Sequence, residues 1–587
     1  MILPPLEPPP QSNDRVRGSF MTTTRSTIAR RLTVLLIALV PAWSVAAEEK
    51  VDLATIHRIK EEAFKNSKVM DHLFYLTDVN GPRLTNSPGQ RAASDWAVKR
   101  LKSWGIEGAR LETWGKFGRG WSLSRFTMSL REPAYAPLPG VPLAWSSGTK
   151  GMVSGDVVIA PLFTAAELER SENRDPAKLA ARIEKYTAEN RGRLRGKFVL
   201  LTEAREMAPP TEAAARRLDD KELAGIVQAP EPYAAPPVDW PIVSLPDDPT
   251  KRRQLLGAAP FEVVSDLWLR VRRTRNRLNA FFKEEGTLAV LSGDSRGTGG
   301  ILFAEAGGSY ESGAPIPPPM ISLAPESYDR LCRLAEKKVP VKIELEMEAT
   351  FDDTSPDGTD VVAEIPGGAK KDEVVMLGAH LDSWHSGTGA TDNAAGSAVV
   401  LEAMRILKTL GLPMDRTVRL ALWTGEEQGI LGSRGYVKNH FADPVTMKTS
   451  LEHAKLSGYF NIDNGTGKIR GVYLQGNDMM RPVFKAWLAP FEDLGATTIS
   501  IQDTGGTDHL PFDAVGLPGF QFIQDPLDYS SRTHHSNIDV YDHVQAGDLM
   551  QASAILASFV YNAATRPEML PRKPLPKPLP PKGAEPK

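Results

Sequence analysis

The chain has 587 residues, 41% hydrophobic and 24% charged, the balance of a soluble globular protein, at a length that calls for about two or three domains. A formal net charge of −2 leaves no basic footprint for nucleic acid. With one cysteine, Cys332, a disulfide framework and a cysteine-rich zinc site are both excluded, so any metal must be held by His, Asp and Glu.

The N-terminus reads as an export signal. Arg30 and Arg31 precede an apolar run over 32–40, and small residues (Ser44, Val45, Ala46, Ala47) stand before Glu48 and Glu49. The run is too short for a stable membrane span, which takes roughly 20 residues. Residues 1–47 are therefore expected to be removed from a secreted or periplasmic protein. Met21 is a second candidate start, since the Pro-rich residues before it add nothing to the signal.

From 48 to 150 the spacing of Ile56, Ile59, Phe64, Val69, Leu73 and Leu76, then Trp96, Val98, Leu101 and Trp104, predicts helices. From 151 to 350 short apolar runs lie between Gly and Pro, at 156–160, 197–201, 288–291 and 341–345, and predict a separate β-rich unit. Charged helical stretches interrupt it, notably 267–285, and Cys332 sits at helical spacing with Leu331 and Leu334 as a buried thiol. From 351 to 570 strand and helix alternate, which argues for an α/β fold: a mixed, mainly parallel sheet flanked by helices. The Pro- and Lys-rich tail, 571–587, is expected to be disordered.

The chemistry gathers in this last region. A buried strand, Glu373 to Ala379, delivers His380, and Asp382 lies on the same side two residues on, where it can accept the imidazole's other N–H. A glycine-rich stretch then leads to Asp392 at the start of a helix, where an anion is favoured. A second strand ends in Glu426-Glu427. Adjacent side chains diverge, so one carboxylate can bind metal while the other faces water. A third strand ends at Asp463, and a fourth leads to His534-His535, of which one is expected to be a ligand. In open α/β sheets ligands bind beyond the carboxyl ends of the strands. Two His and three carboxylates there suit zinc, and one shared carboxylate makes a two-metal site.

The runs Gly378-Ala-His380-Leu-Asp382-Ser-Trp384, Gly389-Ala-Thr-Asp392-Asn393-Ala-Ala-Gly396, Leu422-Trp-Thr-Gly-Glu426-Glu427-Gln-Gly429, then Asp463 and His534-His535-Ser536, resemble those of the co-catalytic dizinc exopeptidases. The branch they resemble is carboxypeptidase Q. The resemblance implies two Zn2+ per chain, with His380 and Asp463 on one, Glu427 and His535 on the other, and Asp392 bridging. It implies Glu426 as general base toward a bridging metal-bound water, and a cis peptide at Asp392-Asn393. His535 is chosen over His534 because the family's ligand directly precedes Ser or Thr. Residues 151–350 resemble a protease-associated domain inserted into the peptidase domain. The implied partners are dipeptide or short-peptide substrates, and a homodimer is compatible with the family. Two positions depart from the branch: Asn393 stands where a second Asp is expected, and His385 where an acidic residue is expected. Thr507-Asp508-His509 resembles a loop near the family's active site. The competing readings are an aminopeptidase acting on longer peptides, a catalytically inactive receptor-like module on the same fold and a glutaminyl cyclase-type enzyme. No Gly-x-Ser-x-Gly elbow supports serine hydrolysis.

Overall fold

Val374, Val375, Met376 and Leu377 form an uninterrupted apolar run, which is stable as a strand only where both faces are covered. In the computed structural model this run is the middle of a central strand. The structure describes residues 49–583 apart from 165–166, 168–171, 207–208, 210, 233–237 and 295, so the expected export signal lies outside the described residues.

In chain order the strands are β1 (Arg110–Lys116), β2 (Gly120–Glu132), β3 (Ala136–Pro137), β4 (Gly140–Pro142), β5 (Val153–Phe163), β6 (Phe198–Thr202), β7 (Ala289–Gly293) and β8 (Met320–Leu323). There follow β9 (Lys342–Asp352), β10 (Asp357–Ile365), β11 (Lys370–His380), β12 (Arg416–Trp423), β13 (Leu456–Asn461), β14 (Ile469–Tyr473), β15 (Thr498–Ser500) and β16 (Gly519–Gln524). The first sheet runs β1-β10-β12-β11-β13-β16-β14-β15. Its centre, β12-β11-β13-β16, is parallel throughout.

Side-chain alternation along β11 feeds two cores. Val375, Leu377 and Ala379 pack with helices Ala395–Leu410 and Ala546–Thr565, while Val374 and Met376 join Trp423, Tyr436, Tyr459 and Phe512 on the other face. Phe460, Phe484, Trp487, Phe520 and Phe559 interlock beneath β13, each burial stabilising by about 1.5–3 kcal/mol. N-terminal helices Leu53–Lys65 and Val69–Phe74 are pinned to Ala395–Leu410 through Arg405, which bonds both Glu62 and Glu402, with His72 3.2 Å from Glu402. Among the described residues no helix is long and apolar enough to cross a membrane.

The second sheet runs β3-β2-β9-β5-β6-β7-β8-β4. Its strands β5 to β8 are parallel neighbours, and helices Pro176–Asn190, Phe261–Glu285 and Pro325–Glu336 accompany them. Cys332 is buried in the last of these, and burial pushes its thiol up to about 12. The boundary expected at 151 falls inside this sheet, because β2 pairs with β9 along almost its whole length from Gly120. The chain thus enters the second unit from β1 to β2 and leaves it from β9 to β10, with β1 antiparallel to β10 and β2 antiparallel to β9. The tail also differs from the expectation of disorder. Through residue 583 it lies along the body: Arg572 donates to the His453 carbonyl, Lys573 to that of Gln475, and the Leu579 and Gly583 amides to Val445 and Trp240.

Candidate metal centre

The parallel strands end at one edge of the first sheet. β11 stops at His380, β12 leads through Thr424 and Gly425 to Glu426 and Glu427, and β13 is followed by Asp463. Gly425 has φ of +74°, a left-handed turn that glycine makes at no steric cost and that swings the Glu pair off the strand. Asp392 precedes helix Ala395–Leu410 in extended backbone, at φ −131° and ψ 89°, and its peptide to Asn393 is cis. Asn393 completes the turn: its Nδ2 donates to the Ile462 carbonyl at 2.9 Å, and its Oδ1 accepts from the Gly396 amide at 3.0 Å.

These side chains converge. Asp392 Oδ1 lies 3.2 Å from His380 Nε2, and Asp392 Oδ2 lies 3.2 Å from His535 Nε2. His380 Nε2 is also 3.4 Å from Asp463 Oδ1, and His535 Nε2 is 3.0 Å from Glu427 Oε2. His534 stacks on His535 at 3.7 Å between ring centroids and stands 3.5 Å from Asp392 Oδ2, so it is the more distant of the two imidazoles. His380, Asp392 and Glu427 form one group with ligand atoms close enough for a single ion, and Asp392, His534 and His535 another.

A layer of polar groups holds this arrangement. The carboxylate of Asp382, expected to accept the His380 N–H, lies 3.6 Å from Nδ1, whereas its backbone carbonyl is at 3.0 Å. Its carboxylate instead accepts from Thr85 Oγ1 at 2.9 Å and from the Glu426 and Glu427 amides, both at 3.3 Å. Asp382 therefore fixes the tautomer through its carbonyl and the Glu pair through its side chain. Asp539 plays a similar part for the Asp392 segment, accepting from the Thr391 amide at 2.6 Å and the Asp392 amide at 3.2 Å.

Arg83 is fully buried behind the glycine-rich loop. It donates to the carbonyls of Leu381 at 2.6 Å, Leu76 at 2.8 Å, Thr388 at 2.7 Å and Gly389 at 2.8 Å. Gly389 has φ of +67°, and a Cβ there would stand 2.3 Å from that of Ser383, so this approach requires glycine. Burial pulls the guanidinium down to about 10, against the attraction of Asp539 and Asp382, and it stays charged at neutral pH. Arg83→Met is expected to lower the unfolding free energy by more than about 3 kcal/mol, because several buried carbonyls lose their donor at once. Urea denaturation measures this, and a loss below about 1 kcal/mol would refute the role.

The electrostatics call for added positive charge. Burial holds the Glu426 carboxyl well above the ordinary range, with His380 opposing and Asp463, Asp508 and Glu427 reinforcing. Burial and the Asp392 charge push Glu427 up to about 7. Against burial, Asp463, Asp382 and Asp392 hold His380 well above its usual value, and Glu427, Asp392 and Glu305 do the same for His535. His380 Nε2, Asp392 Oδ2 and Asp463 Oδ1 are buried without a hydrogen-bond partner; the first and last face each other, and Asp392 Oδ2 faces His535 Nε2. A divalent cation fits this donor set, since it would satisfy those atoms and offset the crowded carboxylates.

The structure thus brings together His380, Asp392, Glu427, Asp463 and His535, with Glu426 beside them. Asp508 is buried within the electrostatic reach of His380 and accepts from Ser433, while His509 turns to the Thr504 carbonyl. The departing residue His385 bonds the Pro142 carbonyl at 2.6 Å and packs on Trp121, so it is tied to the second unit. Arg83, Thr85 and Glu305 escape the sequence reading. They lie far along the chain from the residues they serve, and no local pattern marks them.

A family model described as Peptidase family M28 matches residues 360–560. Carboxypeptidase Q of Rattus norvegicus is 34% identical over 265 residues, covering 45% of this chain and 53% of that protein. Aminopeptidase YwaD of Bacillus subtilis (strain 168) is 30% identical over 207 residues, covering 34% of this chain and 43% of its own. The chain therefore spans about half the length of the curated relatives it matches. The crystal structure of a peptidase M28 precursor from Shewanella amazonensis SB2B shares the fold with a TM-score of 0.58 at 24% identity, over 89% of this chain and 98% of that one. The clustered imidazoles and carboxylates all fall within 360–560, the region that the peptidase family M28 model matches.

Proposed function

We propose that the chain is a zinc-dependent exopeptidase that hydrolyses dipeptides or short peptides, with two zinc ions per chain. One observation carries the reading: a single carboxylate, Asp392, stands 3.2 Å from each of two imidazoles on different segments, with Asp463 and Glu427 completing the two sides. His380 and Asp463 would hold one ion, Glu427 and His535 the other, and Asp392 both. Zinc bound there supplies Lewis acidity toward the scissile carbonyl and lowers the pKa of water. Glu426 takes a proton from the attacking water and returns it to the departing amine. Trp384 packs edge-on to His535 at 5.9 Å between ring centroids and its backbone N–H bonds Glu427 at 3.2 Å, shielding that side from bulk water. The unit around the second sheet is read as the inserted protease-associated-like domain, and the protein as exported.

The test is metal analysis of the purified protein combined with a screen of free and N-blocked dipeptides and longer peptides, with and without chelator. Bound zinc and chelator-sensitive cleavage of substrates with a free amine are expected. Metal-loaded protein that cleaves no peptide would favour a binding module, and protein that takes up no divalent ion would end the proposal. Cleavage of N-blocked peptides would mark a carboxypeptidase, and a requirement for the free amine an aminopeptidase or dipeptidase.

A further inference from the structure

We infer that Glu305, carried by the second sheet's unit, is a positioning residue for the metal centre: it fixes the tautomer and orientation of His535, so that loading of the ion held by His535 depends on the inserted unit. This rests on the metal reading above.

An imidazole that binds metal through Nε2 must carry its proton on Nδ1, and an acceptor there locks both tautomer and ring. His535 turns Nε2 toward Asp392 and Glu427, and Nδ1 lies 2.8 Å from Glu305 Oε1. Glu305 belongs to the connection between β7 and β8, far from the first sheet in sequence. The simpler reading is a surface ion pair with Arg296, but that contact is longer, at 3.6 Å.

The backbone around Glu305 supports the same role. Residues 302–304 lie along the His535 loop in a short antiparallel bridge between Phe303 and Ser536. The Ala304 amide donates to the His535 carbonyl at 3.2 Å, and the Asn537 amide to the Leu302 carbonyl at 2.9 Å. Asn537 Oδ1 in turn accepts from the Leu302 amide at 2.7 Å. His535 itself has φ of +65°, a left-handed conformation that non-glycine residues seldom adopt and that needs such bracing. The same loop is gripped from its other end by the second unit, where Arg217 bonds Asp525 at 2.9 Å and Arg216 bridges Leu527.

The Glu305 side chain is 39% exposed, so replacing it empties no core. The experiment is zinc titration by chelator competition on the full chain, comparing the parent with Glu305→Ala, Glu305→Gln and, as a control on the same unit, Glu311→Gln. Glu305→Ala is expected to bind one zinc as the parent does and the second about 10–100-fold more weakly. Glu305→Gln, which keeps an acceptor oxygen, should recover most of the loss, and Glu311→Gln should match the parent. Equal binding of both ions by Glu305→Ala and the parent overturns the inference, as does equal weakening of both ions. Should Glu305→Ala lose its native circular dichroism, the Gln variant decides: failure to exceed the Ala variant's zinc binding overturns the inference. A parent chain that binds no zinc overturns the metal reading itself.

Discussion

Glu426→Gln is expected to keep the parent's metal content and lose about 10²–10⁴-fold in kcat, with little change in KM. The two members of the Glu pair leave the strand together, yet only Glu427 joins His380 and Asp392 in a group whose ligand atoms could share an ion. Glu426 is anchored by its amide to Asp382 at 3.3 Å, which leaves its side chain free for proton transfer. Burial among other carboxylates raises its proton affinity, and cations bound beside it would hold it in the ionised form that a base needs. Glutamine preserves volume and one hydrogen-bonding oxygen but cannot accept that proton. Metal analysis and turnover of the same preparation check the result, and a metal-loaded variant with parental turnover would remove Glu426 from the mechanism.

Asp392→Ala should be more severe, losing metal and activity together. Its two oxygens face different imidazoles at the same 3.2 Å, so it alone is common to both halves of the centre. Without it, His380 keeps only Asp463, and His535 keeps only Glu427, on the metal-facing side. Each remaining pair then offers an ion only two protein ligands, too few for an intact half-site. Metal content, turnover and far-UV circular dichroism should be read together. Native dichroism with metal below one equivalent is the expected result, and parental metal content would show that Asp392 does not bridge.

The reach of the sequence can be judged from particular residues. Alternating apolar runs placed the central strands, and polar residues directly after them marked His380, Glu426, Glu427 and Asp463 as neighbours at one sheet edge. The second unit was harder to bound. In β2 the charged Arg125 and the exposed Leu123 break the alternation, because part of this strand faces solvent and its stability comes from pairing with β9. Asp382 lies beside His380, but periodicity cannot tell a carbonyl from a carboxylate as the accepting group. Glu305 and Arg83 gave no signal at all: their value depends on the chain folding back over long separations, 230 residues in the case of Glu305 and His535. The tail's Pro and Lys content suggests disorder, yet proline suits an extended segment that bonds through side chains and a few amides of its non-proline residues.

The dispersal of the centre along the chain has a biosynthetic consequence. Synthesis runs from the N-terminus, so Arg83, Glu305 and His380 have all emerged before His535 exists. Until that last imidazole appears, the growing polypeptide holds an incomplete chelate. On the metal reading proposed above, capture of the ion assigned to Glu427 and His535 waits until synthesis has passed His535, and a product cut short before it lacks that ligand.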